Sequence, residues 1–212
     1  MKLKRAISLQ ELNSKVYKDL VLDEPWSHSL GEPELAGVWF VYGDSGNGKT
    51  SFCLQLGKYL TKHGKVAYDS LEQGDSKSFK MAINRENMME VKNRFMILNR
   101  EPFDELFKRL RRHKSADIIF IDTIQYLSDG EGKMFNYSDY RSMKNEFKNK
   151  LFVIVSQTEG NVPRGSTARS IRFDADVKII VKGFKAEFNS RFGGNQDYII
   201  NHEKYTEFYC TV

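Results

Sequence analysis

Residues 43–50 read GDSGNGKT, which fits the pattern GxxxxGK[ST]. An apolar run lies before this octapeptide at residues 38–42, and residues 51–63 after it carry apolar side chains at helical spacing. The pattern needs this context of strand, tight loop and helix. The glycines let successive backbone N–H groups turn toward one point, and the following helix directs its positive end there. The sequence therefore predicts a phosphate-binding loop, and an ordinary glycine turn is the alternative.

Contacts with a nucleotide are expected from the whole loop and from the first residues of the helix. They are Gly43, Asp44, Ser45, Gly46, Asn47, Gly48, Lys49, Thr50 and Ser51. Lys49 is expected to reach the β- and γ-phosphates, which gives it a catalytic role as well as a binding role. The hydroxyl group of Thr50 is expected to bind the Mg²⁺ ion that bridges these phosphates.

Length and composition favour a globular protein with one core. The 212 residues include 40% hydrophobic and 29% charged side chains, and no apolar run is long enough to span a bilayer. The basic start at residues 1–7 lacks the apolar centre of a signal peptide, so we expect a cytoplasmic protein without membrane contact. Cys53 and Cys210 lack the spacing of a metal site or a disulfide framework. Both are expected to be buried free thiols.

The remaining chain alternates predicted strands with predicted helices. Ser8 and Glu11 predict a capping box that starts an amphipathic helix over residues 8–20, which packs either on its own domain or on a neighbouring subunit. A loop is expected over residues 21–37. Strands are predicted at residues 65–71, 95–98, 117–122, 151–157 and 175–181, and helices at residues 76–90, 103–113 and up to about 148. The fold class is therefore α/β, with a mostly parallel, doubly wound sheet and helices on both faces.

Two predicted strands end in polar side chains. Four consecutive apolar residues lead to Asp122, and residues 151–157 end with Ser156 and Gln157. Ligands of doubly wound sheets bind outside the carboxyl ends of the strands. We therefore expect Asp122 to face the phosphate loop and to orient the Mg²⁺ shell through water. Gln157 is expected to contact the γ-phosphate or the attacking water, and a polar strand end without a role is the alternative.

The last third of the chain predicts irregular and antiparallel structure. Residues 158–173 contain two glycines, a proline and three arginines without apolar periodicity, which predicts a mobile basic loop that could contact a phosphate backbone. An antiparallel set of strands is expected from residues 184–192, 198–200 and 207–212. In the aromatic stretch at residues 128–140, Phe135, Tyr137 and Tyr140 could stack on bases, or they pack against the nearby helix.

The order of these pieces resembles the RecA-like ATPases, and most of all the branch of the DnaB replicative helicases and RadA. SLE at residues 70–72 follows the second core strand, IDTIQYL at residues 121–127 resembles the branch's IDYLQL, and SQ stands at residues 156–157. NSRFGG at residues 189–194 is similar to the branch's C-terminal pattern. The resemblance covers roughly residues 30–195. It implies a minimal RecA-like ATPase core over residues 37–212, after an N-terminal helix and loop over residues 1–36.

The resemblance also implies cofactors and roles. ATP and Mg²⁺ are the expected cofactors. Glu72 matches the carboxylate that activates the attacking water, and Gln157 matches the γ-phosphate sensor. Arg191 matches an arginine finger that serves the neighbouring subunit's nucleotide. These families carry a lysine two residues before that arginine, where this chain has Asn189, and Lys185 on the same predicted strand is the candidate substitute.

Two functions of different classes follow from these features. The leading hypothesis is a Mg²⁺-dependent ATPase that acts on single-stranded DNA in replication or recombination, as a homo-oligomeric ring or filament. The alternative is a slow NTP-dependent regulatory or partner-binding switch, which the missing lysine and the net charge of only +5 favour. A small-molecule phosphotransferase would need an arginine-rich lid, which the sequence does not indicate.

Overall fold

One mixed sheet forms the centre of the computed structural model, which describes residue 3 and residues 5–210. Its strands are β1 (Gly37–Gly43), β2 (Val66–Ser70), β3 (Phe95–Leu98), β4 (Ile118–Asp122), β5 (Leu151–Glu159), β6 (Val162–Pro163), β7 (Val177–Lys182), β8 (Lys185–Ser190) and β9 (Tyr198–Ile199). Their order is β3-β2-β4-β5-β1-β7-β8-β9, and β6 pairs with β5. The pairs from β3 across to β7 are parallel, whereas β8 and β9 are antiparallel. The predicted α/β fold class is confirmed.

Helices cover both faces of this sheet. They are α1 (Leu9–Asn13), α2 (Trp26–Leu30), α3 (Lys49–Leu60), α4 (Lys77–Arg85), α5 (Phe103–Leu110), α6 (Tyr137–Glu146), α7 (Ser166–Asp174) and α8 (His202–Cys210), with 3₁₀ turns at Met88–Val91 and Ile124–Tyr126. Because side chains alternate along a strand, β1 sends Trp39 to the face covered by α2, α3 and α4, and Phe40 to the face covered by α5, α6 and α7. Both side chains are fully buried, as expected for a strand at the centre of a parallel sheet.

The predicted mobile loop at residues 158–173 is wrong. Strand β5 continues to Glu159, and α7 follows the short strand β6. Only Ala168 and Ile171 of α7 are buried, and both pack in the core cluster on the face of α5 and α6. Tertiary packing on the sheet therefore stabilises a helix whose apolar stripe is too narrow to predict from periodicity.

The predicted strand at residues 207–212 is also wrong where the chain is described, and residues 211–212 lie outside the described part. Residues up to Cys210 form α8, whose first turn is capped because the side chain of Asn201 accepts a hydrogen bond from the N–H of Lys204 (2.9 Å). Tyr205 and Tyr209, four residues apart, contact each other with ring centroids 4.8 Å apart. The cap and this pair favour a helix over the strand that aromatic residues suggested. Cys210 is exposed, not buried, whereas Cys53 is buried as predicted.

The N-terminal helix is shorter than predicted. The capping box of Ser8 and Glu11 is present, but α1 ends at Asn13 and none of its residues is buried. A helix without packing partners is marginal at such a length, which accounts for its early end. The predicted loop at residues 21–37 contains α2, whose Trp26 and Leu30 belong to the core. Within the described residues, no helix is both long and apolar enough to cross a membrane.

Candidate nucleotide-binding site

The predicted phosphate loop connects the end of β1 to the start of α3. The first helical hydrogen bond runs from the N–H of Phe52 to the carbonyl of Gly48 (2.9 Å), so the N–H groups of residues 49–51 have no partner within the helix. Gly48 has a φ of +99°, and a Cβ there would lie 2.9 Å from the ring of Phe184. Only glycine fits this position without strain. The loop thus presents free N–H groups at the positive end of a helix, as an anion site requires.

Neighbouring strands hold the loop in place. The side chain of Asn47 accepts a hydrogen bond from the N–H of Gly183 (2.7 Å), and its carbonyl accepts one from the N–H of Phe184 (3.1 Å). On the other side, the hydroxyl of Thr158 donates to the carboxylate of Asp44. The loop is therefore fixed both to the β7–β8 turn and to the end of β5.

Lys49 and Thr50 lie at the mouth of this loop. The ammonium group of Lys49 donates to the carbonyl of Asp44 (2.9 Å). Burial lowers the pKa of Lys49, and the nearby carboxylates of Asp122 and Glu72 oppose that shift. The hydroxyl of Thr50 accepts a hydrogen bond from the side-chain amide of Gln73 (3.3 Å). Both predicted side chains thus face the cleft described below.

Asp122 stands at the end of β4 and is almost fully buried. The hydroxyl groups of Tyr68 (2.5 Å) and Thr123 (3.0 Å) donate to its two carboxylate oxygens. Burial raises the pKa of Asp122, while these two hydrogen bonds act in the opposite direction. Asp122 and Thr50 line the same cleft and offer the hard oxygen ligands that Mg²⁺ prefers, and that ion commonly completes its shell with phosphate oxygens and water. The residues present fit a Mg²⁺ ion bound together with a nucleotide.

Glu72 and Gln157 meet across the carboxyl ends of the central strands. The side-chain amide of Gln157 donates to one carboxylate oxygen of Glu72 (3.1 Å), and the hydroxyl of Thr123 donates to the other (3.1 Å). The backbone N–H of Glu72 also donates to the carbonyl of Asp122 (3.2 Å). The structure therefore brings together side chains that the sequence places 85 residues apart.

A cleft of about 430 Å³ contains these groups. Its phosphate end is lined by the loop, Glu72, Asp122 and Gln157. The rest of its wall comes from residues that carry no recognisable sequence motif, and these are Gln55, Arg85, Glu86, Phe184, Ile200 and Lys204. Their positions follow from packing in three dimensions, which explains why the sequence did not indicate them.

Comparison with known proteins identifies the family. The AAA domain family matches residues 33–161, which is more than half of the chain. The chain belongs to the AAA domain family. No protein with curated annotation matches it significantly.

Solved structures show the fold of this AAA domain. The flagellar accessory protein FlaH from Methanocaldococcus jannaschii is similar with a TM-score of 0.61 and 16% identity, over 85% of this chain and 92% of that one. The ATPase domain of a DnaB-like helicase is similar with a TM-score of 0.56 and 14% identity, over 80% of this chain and 83% of that one. The resemblance to RecA-like P-loop ATPases is confirmed, and at these identities the likeness concerns the fold.

The structure does not bring Arg191 to the cleft of its own chain. Ser190 pairs with Val177 at the start of β7, so β8 ends at the amino edge of the parallel strands, opposite the phosphate loop. Arg191 forms an ion pair there with Asp176 (3.3 Å). Lys185 lies at the other end of β8, about 20 Å away at roughly 3.3 Å per residue. It is bound to Asp197 and Glu187, so it does not replace a lysine beside Arg191.

The aromatic stretch of this AAA domain contributes mainly to the core. Phe135 and Tyr140 are buried, and the hydroxyl of Tyr140 donates to Asp174. Packing against the helix is therefore confirmed for these two, and their prediction as base-stacking residues is wrong. Tyr137 is 38% exposed and stacks on the ring of Tyr140.

Sequence reasoning also missed Gln125. Its amide nitrogen donates to the hydroxyl of Ser156 (2.8 Å) and to the carbonyl of Arg164 (2.8 Å). Its amide oxygen accepts a hydrogen bond from the N–H of Gln157 (3.2 Å). Gln125 thus links the residue that binds Glu72 to the segment that precedes α7. Its place within IDTIQYL is the one signal that could have indicated it.

Proposed function

We propose that this AAA domain is a Mg²⁺-dependent ATPase that acts on single-stranded DNA in replication or recombination and works as a homo-oligomer. The observation that supports this function best is the grouping of Lys49, Thr50, Asp122, Glu72 and Gln157 around one cleft. A structural glycine turn would not need a carboxylate, a hydroxyl and an amide aimed at the same volume. We retain the division into an N-terminal helix and loop at residues 1–36 and an ATPase core at residues 37–212 as part of this proposal.

Each of these side chains has a task in phosphoryl transfer to water. The N–H groups of residues 43–51 and the ammonium group of Lys49 bind the phosphates. Thr50 and Asp122 hold Mg²⁺, which neutralises charge on the β- and γ-phosphates. Glu72 accepts the proton of the attacking water.

Gln157 connects binding to this proton transfer. Its amide donates to Glu72 in the structure (3.1 Å). A γ-phosphate oxygen in the cleft is an anionic acceptor that competes with Glu72 for the same N–H group. Contact with the γ-phosphate therefore releases one oxygen of Glu72 to accept the proton of water.

The placement of Arg191 supports an oligomer. It lies at the edge of the sheet opposite its own phosphate loop, so it could contact a nucleotide only in a neighbouring subunit. A head-to-tail contact of this kind produces rings or filaments. The guanidinium group would then stabilise charge in the transition state, after exchange of Asp176 for phosphate oxygens.

Two exposed arginines support contact with DNA. Arg164 and Arg169 lie before and within α7, and both are solvent-exposed. Arg172 is partly buried over the ring of Tyr42 (4.9 Å), so it is less available. The carbonyl of Arg164 is bound by Gln125, which also binds Gln157. Phosphates of a DNA strand at Arg164 would thus lie close to the groups that act on ATP.

A regulatory switch that binds a protein partner is the second candidate. Asn189 stands where RecA-like motors carry a lysine, and Lys185 is too distant to replace it. One structural neighbour, FlaH, is a flagellar accessory protein by its description, so a fold of this kind also occurs outside DNA metabolism.

ATP hydrolysis by the purified protein separates the two candidates. We would measure it with Mg²⁺, with and without single-stranded DNA, over a series of protein concentrations, for the unaltered chain, Lys49→Ala, Arg191→Ala and the control Arg112→Ala. Arg112 is an exposed arginine after α5, away from the cleft. DNA stimulation that rises with concentration and is lost only in Lys49→Ala and Arg191→Ala supports the DNA-dependent oligomer. Slow hydrolysis that is indifferent to DNA and to Arg191 contradicts it and favours the switch.

A further inference from the structure

Arg85, the last residue of α4, faces the first turn of α3 across the cleft. One terminal nitrogen of its guanidinium group donates to the hydroxyl of Ser51 (2.8 Å), and Nε donates to the carboxylate of Glu86 (3.3 Å). The side chain of Arg85 remains 53% exposed. Among the described residues, its other terminal nitrogen has no hydrogen-bond acceptor. Arg85 therefore brings a positive charge with free N–H donors to the edge of the cleft.

Ser51 places this charge next to the anion site. It is the third residue of α3, and its backbone N–H is one of those without a partner in the helix. A phosphate bound by these N–H groups lies next to the hydroxyl that already holds Arg85. Arginine suits such a position because its planar group binds two phosphate oxygens at once.

Glu86 holds the guanidinium group in this position. Only 11% of the Glu86 side chain is exposed. Its second carboxylate oxygen accepts a hydrogen bond from the amide of Gln55 (2.9 Å), which also donates to the carbonyl of Ile200 (3.2 Å). Arg85 is thus anchored through Glu86 to α3 and to the C-terminal wall of the cleft.

The neighbours of Arg85 indicate which phosphate it meets. Glu72 and Gln157, at one end of the cleft, are bound to each other and share no hydrogen-bond partner with Arg85. Arg85 and Glu86 instead lie beside Gln55 and Ile200, in the part of the cleft away from those catalytic groups. The γ-phosphate belongs at Glu72, so the phosphate beside Ser51 and Arg85 is the α-phosphate.

We propose that Arg85 is a nucleotide-binding residue that contacts the α-phosphate of a nucleoside di- or triphosphate bound in its own chain. This inference rests on the proposed function and adds a contact that the sequence motifs do not contain. The α-phosphate is present in ATP and in ADP, so Arg85 stabilises substrate and product equally. Such uniform binding lowers KM and leaves kcat unchanged.

The test is binding of ADP that carries a fluorescent label on its ribose, measured by anisotropy in the presence of Mg²⁺, and competition by unlabelled ATP. The variants are Arg85→Ala, Arg85→Gln and the matched control Lys80→Ala, which removes an exposed cation from the same helix. Loss of a charged hydrogen bond predicts about 10- to 100-fold weaker binding of both nucleotides in Arg85→Ala. Lys80→Ala should bind within about 2-fold of the unaltered protein, because a cation on the solvent side contributes little.

Several outcomes would overturn the inference. Unchanged affinity of Arg85→Ala for ADP and ATP overturns it and leaves the cleft as the nucleotide site. Weaker binding of ATP with unchanged binding of ADP also overturns it, because it would place Arg85 at the γ-phosphate. If Arg85→Ala lowers the thermal unfolding midpoint, Arg85→Gln decides, since it keeps a donor for Ser51 but no charge, and unchanged affinity then overturns the inference. If the unaltered protein binds neither nucleotide, this inference and the proposed function both fail.

Discussion

The side-chain amide of Gln157 donates a hydrogen bond to the carboxylate of Glu72, 3.1 Å away, across the end of β4. The two residues follow strands that are not neighbours in the sheet, and Thr123 after β4 binds the other oxygen of the same carboxylate. Glu72 is thus fixed from two sides, directly above the volume where the proposed γ-phosphate and water would meet.

Loss of the carboxylate at Glu72 should separate binding from hydrolysis. We expect Glu72→Gln to reduce kcat for ATP about 100-fold or more, the usual contribution of a general base, while the affinity for nucleotide changes little. Gln196→Ala, an exposed glutamine far along the chain, is the control. Steady-state hydrolysis and labelled-ADP binding measure both effects. A kcat near that of the unaltered protein would contradict the assignment of Glu72.

Removal of the hydroxyl group of Tyr68 should weaken the environment of Asp122. Tyr68→Phe leaves one buried carboxylate oxygen without its donor, so we expect a loss of about 1–3 kcal/mol in the free energy of unfolding. The pKa of Asp122, already raised by burial, should rise further. Urea unfolding and Mg²⁺ titration of hydrolysis measure these effects. Unchanged stability would mean that the short contact contributes nothing net.

Asp69 should make the stability of the fold depend on pH. It is fully buried and one of its oxygens has no partner, and burial raises its pKa from 3.8 to about 7. The folded state then binds a proton more tightly than the unfolded state. Stability from this group is therefore full below about pH 4 and is lost as pH rises toward 7, by at most about 1.4 kcal/mol for each pH unit.

Asp69→Asn should remove this dependence. Urea unfolding at pH 5 and pH 8 should show that the variant loses less stability than the unaltered protein over this interval. Its side chain still accepts a hydrogen bond at the oxygen that meets the N–H of Glu101 (3.1 Å), so the local structure is kept. Equal losses in the two proteins would show that Asp69 does not titrate in this range.

Gln125 should transmit contact with DNA to the catalytic groups. Gln125→Ala removes the hydrogen bonds to Ser156, Arg164 and Gln157. We expect labelled-ADP binding to stay within about 3-fold, because Gln125 does not line the cleft, while stimulation of hydrolysis by single-stranded DNA falls at least about 5-fold. Stimulation that persists in full would show that DNA acts by another route.

The sequence predicted the groups that act on phosphates, because each is fixed by local order. The loop carries its ligands and its glycines in eight consecutive residues, and Asp122 follows an apolar run that places it at a strand end. Arg85 and Phe184 could not be predicted, since their position depends on strand order and on the packing of the C-terminal wall. Helix α7 was missed because only Ala168 and Ile171 reach the core.

The two ends of the cleft are encoded in separate stretches of the chain. The family match ends at residue 161, whereas Phe184, Ile200 and Lys204, which close the wall opposite Arg85, all come later. The strand and helix that carry them are joined to the phosphate loop through Asn47 and the β7–β8 turn. Preference for one nucleotide base over another can therefore diverge through substitutions in the final 30 residues, without any change to the groups that cleave the phosphate bond.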